Sequence, residues 1–151
     1  LIKQIDITQS KDAEEVLNVQ IPSYKVEAEI IGSYEIPPLK DTVNTLQHCG
    51  ETFFGYYENG ELCGVISIKV DRDQVDIHRL IVHPNHFRKG IAQLLLNFIE
   101  TDFQFETIKV ATGSKNIPAV RFYLKNGFQK VKEVIVNEQL SLTFFEKKRG
   151  S

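Results

Sequence analysis

A chain of 151 residues suits one domain built on a single core. Its formal net charge of −2 offers no basic footprint for nucleic acid, and no apolar run reaches membrane-spanning length. The two cysteines, Cys49 and Cys63, lack a metal-ligand spacing. Free thiols, no bound metal and a cytoplasmic location are therefore expected, with no signal peptide in view.

The first elements read as follows. Leu1 to Ile7 alternates apolar and polar residues as a strand does. Ser10 is placed to cap a helix whose inner face is Ala13, Val16, Leu17 and Gln20, with Glu14 and Glu15 in its early turns. Pro22 is expected to end that helix, and a second short helix is expected over Tyr24 to Ile31, stopping near Gly32. The pair Pro37-Pro38 predicts an extended loop, and Asp41 a cap for a short helix reaching about Cys49, with Val43 and Leu46 inward.

Thr52 to Tyr57 and Leu62 to Val70 form a predicted hairpin around Asn59-Gly60, a pair that tolerates the positive φ of a type I′ turn. A polar turn at 71–74 leads into Val75 to Val82, a strand dense in β-branched residues that Pro84 terminates. A helix follows with Ile91, Leu94, Leu95, Phe98 and Ile99 on one face. Thr107 to Thr112 is the next strand. Asn116 caps a helix that starts with Pro118 and stops at Gly127. Phe128 to Val136 and Gln139 to Phe145 close the chain as a hairpin, and Arg149 to Ser151 read as an appended tail outside a domain of residues 1–148. This order argues for a mixed α/β sheet with helices packed on it.

Two stretches carry chemistry. Between the central strand and its helix lies Phe87-Arg88-Lys89-Gly90-Ile91-Ala92. Small residues at 90 and 92 let backbone N–H groups approach a ligand, at a helix start with unpaired donors and a partial positive charge. Arg88 and Lys89 add full charges, and the whole suits a pyrophosphate. By itself the pattern also fits an ordinary strand-turn-helix. The second stretch runs from Asn116 to Phe128, one strand further on.

Together the two resemble the GNAT superfamily of N-acetyltransferases. Leu80-Ile81-Val82-His83-Pro84 matches the first half of that family's leading signature, and Gly90 and Ala92 match its two small positions. Phe87 departs from it, standing where the family usually has Arg or Gln. Asn116, Ala119, Phe122, Tyr123, Gly127 and Phe128 match the second signature. The resemblance implies an α+β fold with a mostly antiparallel sheet of about seven strands, splayed at the central strand and carrying four to five helices. It implies transfer from acetyl-CoA to an amine in a ternary complex, by a monomer or homodimer. Leu80, Ile81 and Val82 would then line the pantetheine arm, with a backbone N–H near Ile81 or Val82 on the thioester oxygen, and residues 87–92 would hold the pyrophosphate.

Tyr123 would protonate the leaving thiolate; its alternative is a buried phenol bonded to backbone. Asn116 would cap its helix, touch the cofactor arm, or both. For the base, Asp76 and His78 share one strand face with Leu80 by simple alternation, and some family members carry an acid near position 76. The next strand reads Val110-Ala111-Thr112-Gly113 and offers no carboxylate. His83 and His86 are expected at the solvated surface. Glu27, Glu29, Glu35 and Asp41 surround the Pro37-Pro38 loop and would favour a cationic acceptor. A non-catalytic acyl-CoA-binding or regulatory module on the same fold is the alternative function.

Overall fold

The computed structural model describes residues 1–149. Its centre is a seven-stranded sheet in the order β1-β2-β3-β4-β5-β7-β6, formed by β1 (Ile2–Ile5), β2 (Thr52–Glu58), β3 (Glu61–Asp71), β4 (Gln74–Val82), β5 (Thr107–Gly113), β6 (Gln129–Ile135) and β7 (Ser141–Lys148). Every pairing is antiparallel except β4 with β5. Four α-helices cover it: α1 (Ser10–Ile31), α2 (Val43–Gln47), α3 (Ile91–Asp102) and α4 (Ile117–Lys125). Asn59 and Gly60 both have positive φ, as a type I′ turn requires. The mixed, mostly antiparallel architecture is the expected one.

Helices α3 and α4 share one face of the sheet, around Leu95, Leu96, Ile99, Tyr123 and Phe145. Helices α1 and α2 cover the other, around Val16, Val19, Leu46 and Phe53. The buried stripe of α3 is Ile91, Leu95, Leu96 and Ile99. Leu94, expected inward, is exposed, because the stripe is centred one position further along the chain. Gly64 lets this helix sit close to β3: a Cβ there would stand 2.7 Å from Ile91 Cγ2 and 3.2 Å from the Ile81 carbonyl.

Pro22 does not end α1. The helix runs unbroken from Ser10 to Ile31, so the two expected helices are one. An interior proline costs about 3 kcal/mol. Burial of Val16 and Val19 before it and of Ile31 after it, each worth about 1.5–3 kcal/mol, outweighs that cost. The residue before the first helical turn is Gln9 rather than Ser10, and it makes no side-chain cap.

Pro37 and Pro38 form a 3-10 turn over Pro37–Lys40 rather than an extended loop. Both prolines occupy first-turn positions, where a missing N–H costs nothing. Thr42, not Asp41, caps α2, through a reciprocal pair of bonds with Thr45. Arg149 packs on the domain. Its guanidinium donates to the carbonyls of Phe105 and Phe103 at 2.8 and 3.0 Å. Gly150 and Ser151 lie outside the described residues.

Two features of β4 create the site. It pairs with β5 only over Gln74–Ile77, so the strands part beyond Ile77. Its register with β3 also shifts there: Ser67 faces Arg79 while Ile68 faces Ile77, leaving His78 as an extra residue, a β-bulge. The bulge resets the alternation. Val75 and Ile77 face the α3 side, and beyond the bulge it is Leu80 and Val82 that pack there, while Ile81 joins the α1 side. Leu80 therefore does not share a face with Asp76 and His78; Arg79 does.

Candidate active site

The turn after β4 holds a row of free donors. Phe87 N–H donates to the Pro84 carbonyl, and α3 begins at Ile91 with Gly90 as its cap. Among the described residues, the backbone N–H groups of residues 88 to 93 have no acceptor. Three belong to the orphan first turn of α3; the others come from the turn itself. Arg88 and Gly90 have φ of 67° and 77°, which bends the chain so that successive N–H groups line one concavity. A Cβ on Gly90 would meet no atom within 4 Å, so the space above it is open. These residues fit a pyrophosphate. Phe87 is half-exposed and adds no donor of its own side chain.

Lys89 is committed elsewhere. Its ammonium lies 3.3 Å from Glu58 Oε1 and 2.9 Å from His86 Nδ1, tying the turn to the β2–β3 hairpin. His86 is thus tucked between Glu58 and Glu61 rather than solvated. The donor atoms of Glu58, Cys63 and His86 lie within 4.8 Å of one another. The Lys89 ammonium already supplies a cation there, and burial pushes the Cys63 thiol up, away from the thiolate a metal needs.

The parted edge of β4 leads to this turn. His83 N–H donates across to the Cys63 carbonyl on β3. By alternation Ile81 also bonds toward β3, while the N–H and C=O groups of Leu80 and Val82 point into the gap. The gap thus presents a strip of unpaired strand edge, suited to an amide-bearing arm that pairs as a peptide would.

Tyr123 stands on α4, in the core cluster against which Leu80 and Val82 pack. Its ring is buried against Phe122, Phe128 and Phe145, with 5 % of the residue exposed. Asn116 caps α4, accepting from Ala119 N–H at 3.4 Å, and donates its amide to Glu27 Oε1 at 2.6 Å. Glu27 comes from α1 on the opposite face. Burial, followed by the Glu27 charge, raises the pKa of Tyr123 on α4 and of Tyr24 one turn back on α1. Burial also raises the Glu27 carboxyl above its ordinary value, opposed by the Asn116 hydrogen bond.

Asp76 and His78 lie elsewhere. Asp76 sits where the β4–β5 ladder is still closed, and His78 is the bulged residue just past its end, 3.6 Å from Asp76 and 3.5 Å from Glu51. Arg79, which the sequence reading passed over, is the hub of a buried network. Its guanidinium binds Glu51, lies 3.0 Å from Asp41 and donates from Nε to Gln20 Oε1 at 3.0 Å. Of the four acids around the 37–40 turn, Asp41 is paired to Arg79, Glu35 to Lys40, and Glu29 is exposed. Only Glu27 joins Tyr123 and Asn116. A cleft of about 390 Å³ between β1 and β2, lined by residues 4–7 and 51–53, contains none of the motif residues.

The chain belongs to the family described as the acetyltransferase (GNAT) family, whose profile matches residues 13–128. It is 44% identical over 145 residues to the UPF0157 protein YqkA of Bacillus subtilis (strain 168), covering 93% of this chain and 42% of that protein. The chain thus spans well under half of that relative's length. Among solved structures it is similar in fold to a PaiA N-acetyltransferase from Thermoplasma acidophilum in complex with coenzyme A, with a TM-score of 0.78, 21% identity and 98% of each chain covered. The ribosomal-protein-S18-alanine N-acetyltransferase of Escherichia coli superposes with a TM-score of 0.77 at 14% identity, covering 98% of this chain and 92% of that one. Among the described residues, no helix is long and apolar enough to cross a membrane.

Proposed function

We propose that this chain transfers an acetyl group from acetyl-CoA to an amine, by direct attack within a ternary complex in the cytoplasm. The observation that carries the reading is the continuity of the site: the open edge of β4 leads to the free amides of residues 88–93, and its Leu80 and Val82 pack against the core cluster that holds Tyr123. The pyrophosphate would rest on those amides with Arg88 beside it. The pantetheine arm would lie along Leu80 and Val82. Acetyl-CoA supplies the activated thioester. The Val82 or Leu80 N–H would donate to its oxygen as negative charge builds there. Tyr123 would donate its proton to the departing sulfur, and burial keeps the phenol protonated until that charge appears. No cysteine step is needed, and burial raises both thiols, away from the thiolate a nucleophile requires. Asp76, paired with Lys109 inside the closed ladder, and His78, bulged at its end, would serve only as a water-borne proton relay.

The experiment is release of free thiol from acetyl-CoA over a panel of primary and secondary amines. Amine-dependent release supports the reading. The rival, a CoA-binding module without turnover, draws on Phe87 in place of a polar side chain and on an open end of β5 without a carboxylate. It predicts CoA binding by calorimetry with no release on any amine.

A further inference from the structure

We infer that Glu27 receives the ammonium of the acceptor and takes its proton, so that the acceptor amine is bound as a cation; this rests on the acetyl-transfer reading of the same site. Glu27 differs from the other inward carboxylates. Asp41 and Glu51 are each met by Arg79, and Glu100 is met by Lys147 at 2.7 Å. Glu27 has no cation within ion-pair distance among the described residues, only the Asn116 amide on Oε1. No polar side-chain atom among the described residues is both buried and unpartnered, so its Oε2 opens to solvent. A largely buried carboxylate with one neutral partner leaves part of its charge uncompensated, and a cation entering the gap would offset that cost.

The placement is also right for transfer. The second half of α1 crosses the mouth of the gap, with Tyr24 near Arg79 at one end and Ile31 against Gly113 of β5 at the other. Glu27 lies between, held by Asn116, which itself caps the helix that carries Tyr123. The titratable groups facing Glu27 are Tyr24 on its own helix and Tyr123 on α4, both neutral phenols. Its raised proton affinity, caused by burial, moves the carboxylate toward the range useful for a base near neutral pH.

The proton count closes. An N–H bond of the acceptor's ammonium breaks and an O–H bond forms on Glu27. The freed nitrogen lone pair attacks the thioester carbon, and the C–S bond breaks as the Tyr123 proton passes to sulfur. The phenolate then recovers a proton from the newly acylated nitrogen, and Glu27 releases its own to solvent. The products are the N-acetyl amine, free thiol and one proton.

The test is the pH profile of kcat/KM for Glu27→Gln, which keeps the shape and the acceptor for Asn116 but cannot take a proton. On a primary alkyl amine that the wild type acetylates, the loss at pH 7 is expected to be about 10²-fold or more. That loss shrinks as the pH nears the amine's own pKa of about 10.4, where free amine no longer needs a base. CoA affinity stays unchanged, and Glu27→Asp retains intermediate activity. Wild-type kcat/KM in the Gln variant at pH 7 overturns the inference, as does a loss of equal size at every pH, the mark of a merely structural role. A wild type that binds CoA but acetylates no amine overturns the acetyl-transfer reading, and this inference with it.

Discussion

Two polar clusters lie on either side of the bulge at His78, and they are built on opposite rules. Around Arg79 every charge is answered: Asp41, Glu51, Gln20 and Ser67 surround one guanidinium, of which only 11% is exposed. Around Tyr123 and along the turn after β4 the polar atoms are left short. Glu27 has one amide and no cation, Tyr123 gains no hydrogen bond that shifts its proton affinity, and the amides of residues 88–93 are free. The first cluster strengthens the fold by satisfying itself. The second keeps its unmet valences for a ligand, at some cost in stability.

Removing the hub tests the first half of that contrast most strongly. Arg79→Met leaves two inward carboxylates without a cation, a change typically worth about 3–5 kcal/mol. In a chain of this size that lowers Tm by roughly 6–20 °C, read by thermal unfolding. Burial opposes the Arg79 charge, but Glu51 and Asp41 outweigh it and hold the guanidinium's pKa above its ordinary value. A Tm within 2 °C of wild type would show, at roughly 1 kcal/mol or less, that the network is not what holds the 37–40 turn to the sheet.

On the other side of the comparison, Gly90→Val should lower CoA affinity at least about tenfold, or 1.4 kcal/mol, by calorimetry. A β-branched residue is strained at φ 77° and would project into the space above the free amides. The same variant should remain folded, since no protein atom lies within 4 Å of the new Cβ. Unchanged CoA affinity in a folded variant would remove the pyrophosphate from this turn.

The smallest effect sharpens the contrast by its sign. The Glu27 carboxyl binds its proton more tightly folded than unfolded, because burial disfavours its charge. Its contribution to stability is full below the unfolded pKa and is lost as the pH rises through the folded one. Glu27→Gln should therefore raise Tm slightly at pH 7 and leave it unchanged near pH 3. A fall in Tm at pH 7 would mean that Glu27 is a structural partner like Asp41.

Much of this was legible in the chain. The hairpin at Asn59-Gly60, the strand that Pro84 stops and the Asn116 cap follow from local rules of φ and hydrogen bonding, and all three are observed. The motif pair located the gap. Three features were not local. The bulge at His78 carries no Gly or Pro signal; it is fixed by how β4 registers on β3, and it moved Leu80 to the other face. Pro22 looked like a terminator because its cost is local, whereas the burial that overrides it comes from the sheet. That error hid how far the stripe carrying Glu27 extends. On one continuous helix Gln20, Tyr24, Glu27 and Ile31 follow at spacings of four, three and four, a single inward stripe. Split at Pro22, the same glutamate is one of four acids around the Pro37-Pro38 loop, with nothing to set it apart. Its partner Asn116 is 89 residues away, beyond the reach of any periodicity.

The central claim is that Tyr123 does its work on the departing thiol. It is tested most directly by kcat of Tyr123→Phe on an accepted amine, measured beside CoA affinity by calorimetry. The ring still packs on Phe122, Phe128 and Phe145, so only the hydroxyl is lost. An interaction made mainly in the transition state appears in kcat rather than in affinity. The account predicts a kcat lower by about 10²-fold, the low end for a general acid because thiolate leaves tolerably unaided, with CoA affinity unchanged. An unchanged kcat under conditions where chemistry limits turnover would contradict it and return Tyr123 to the core.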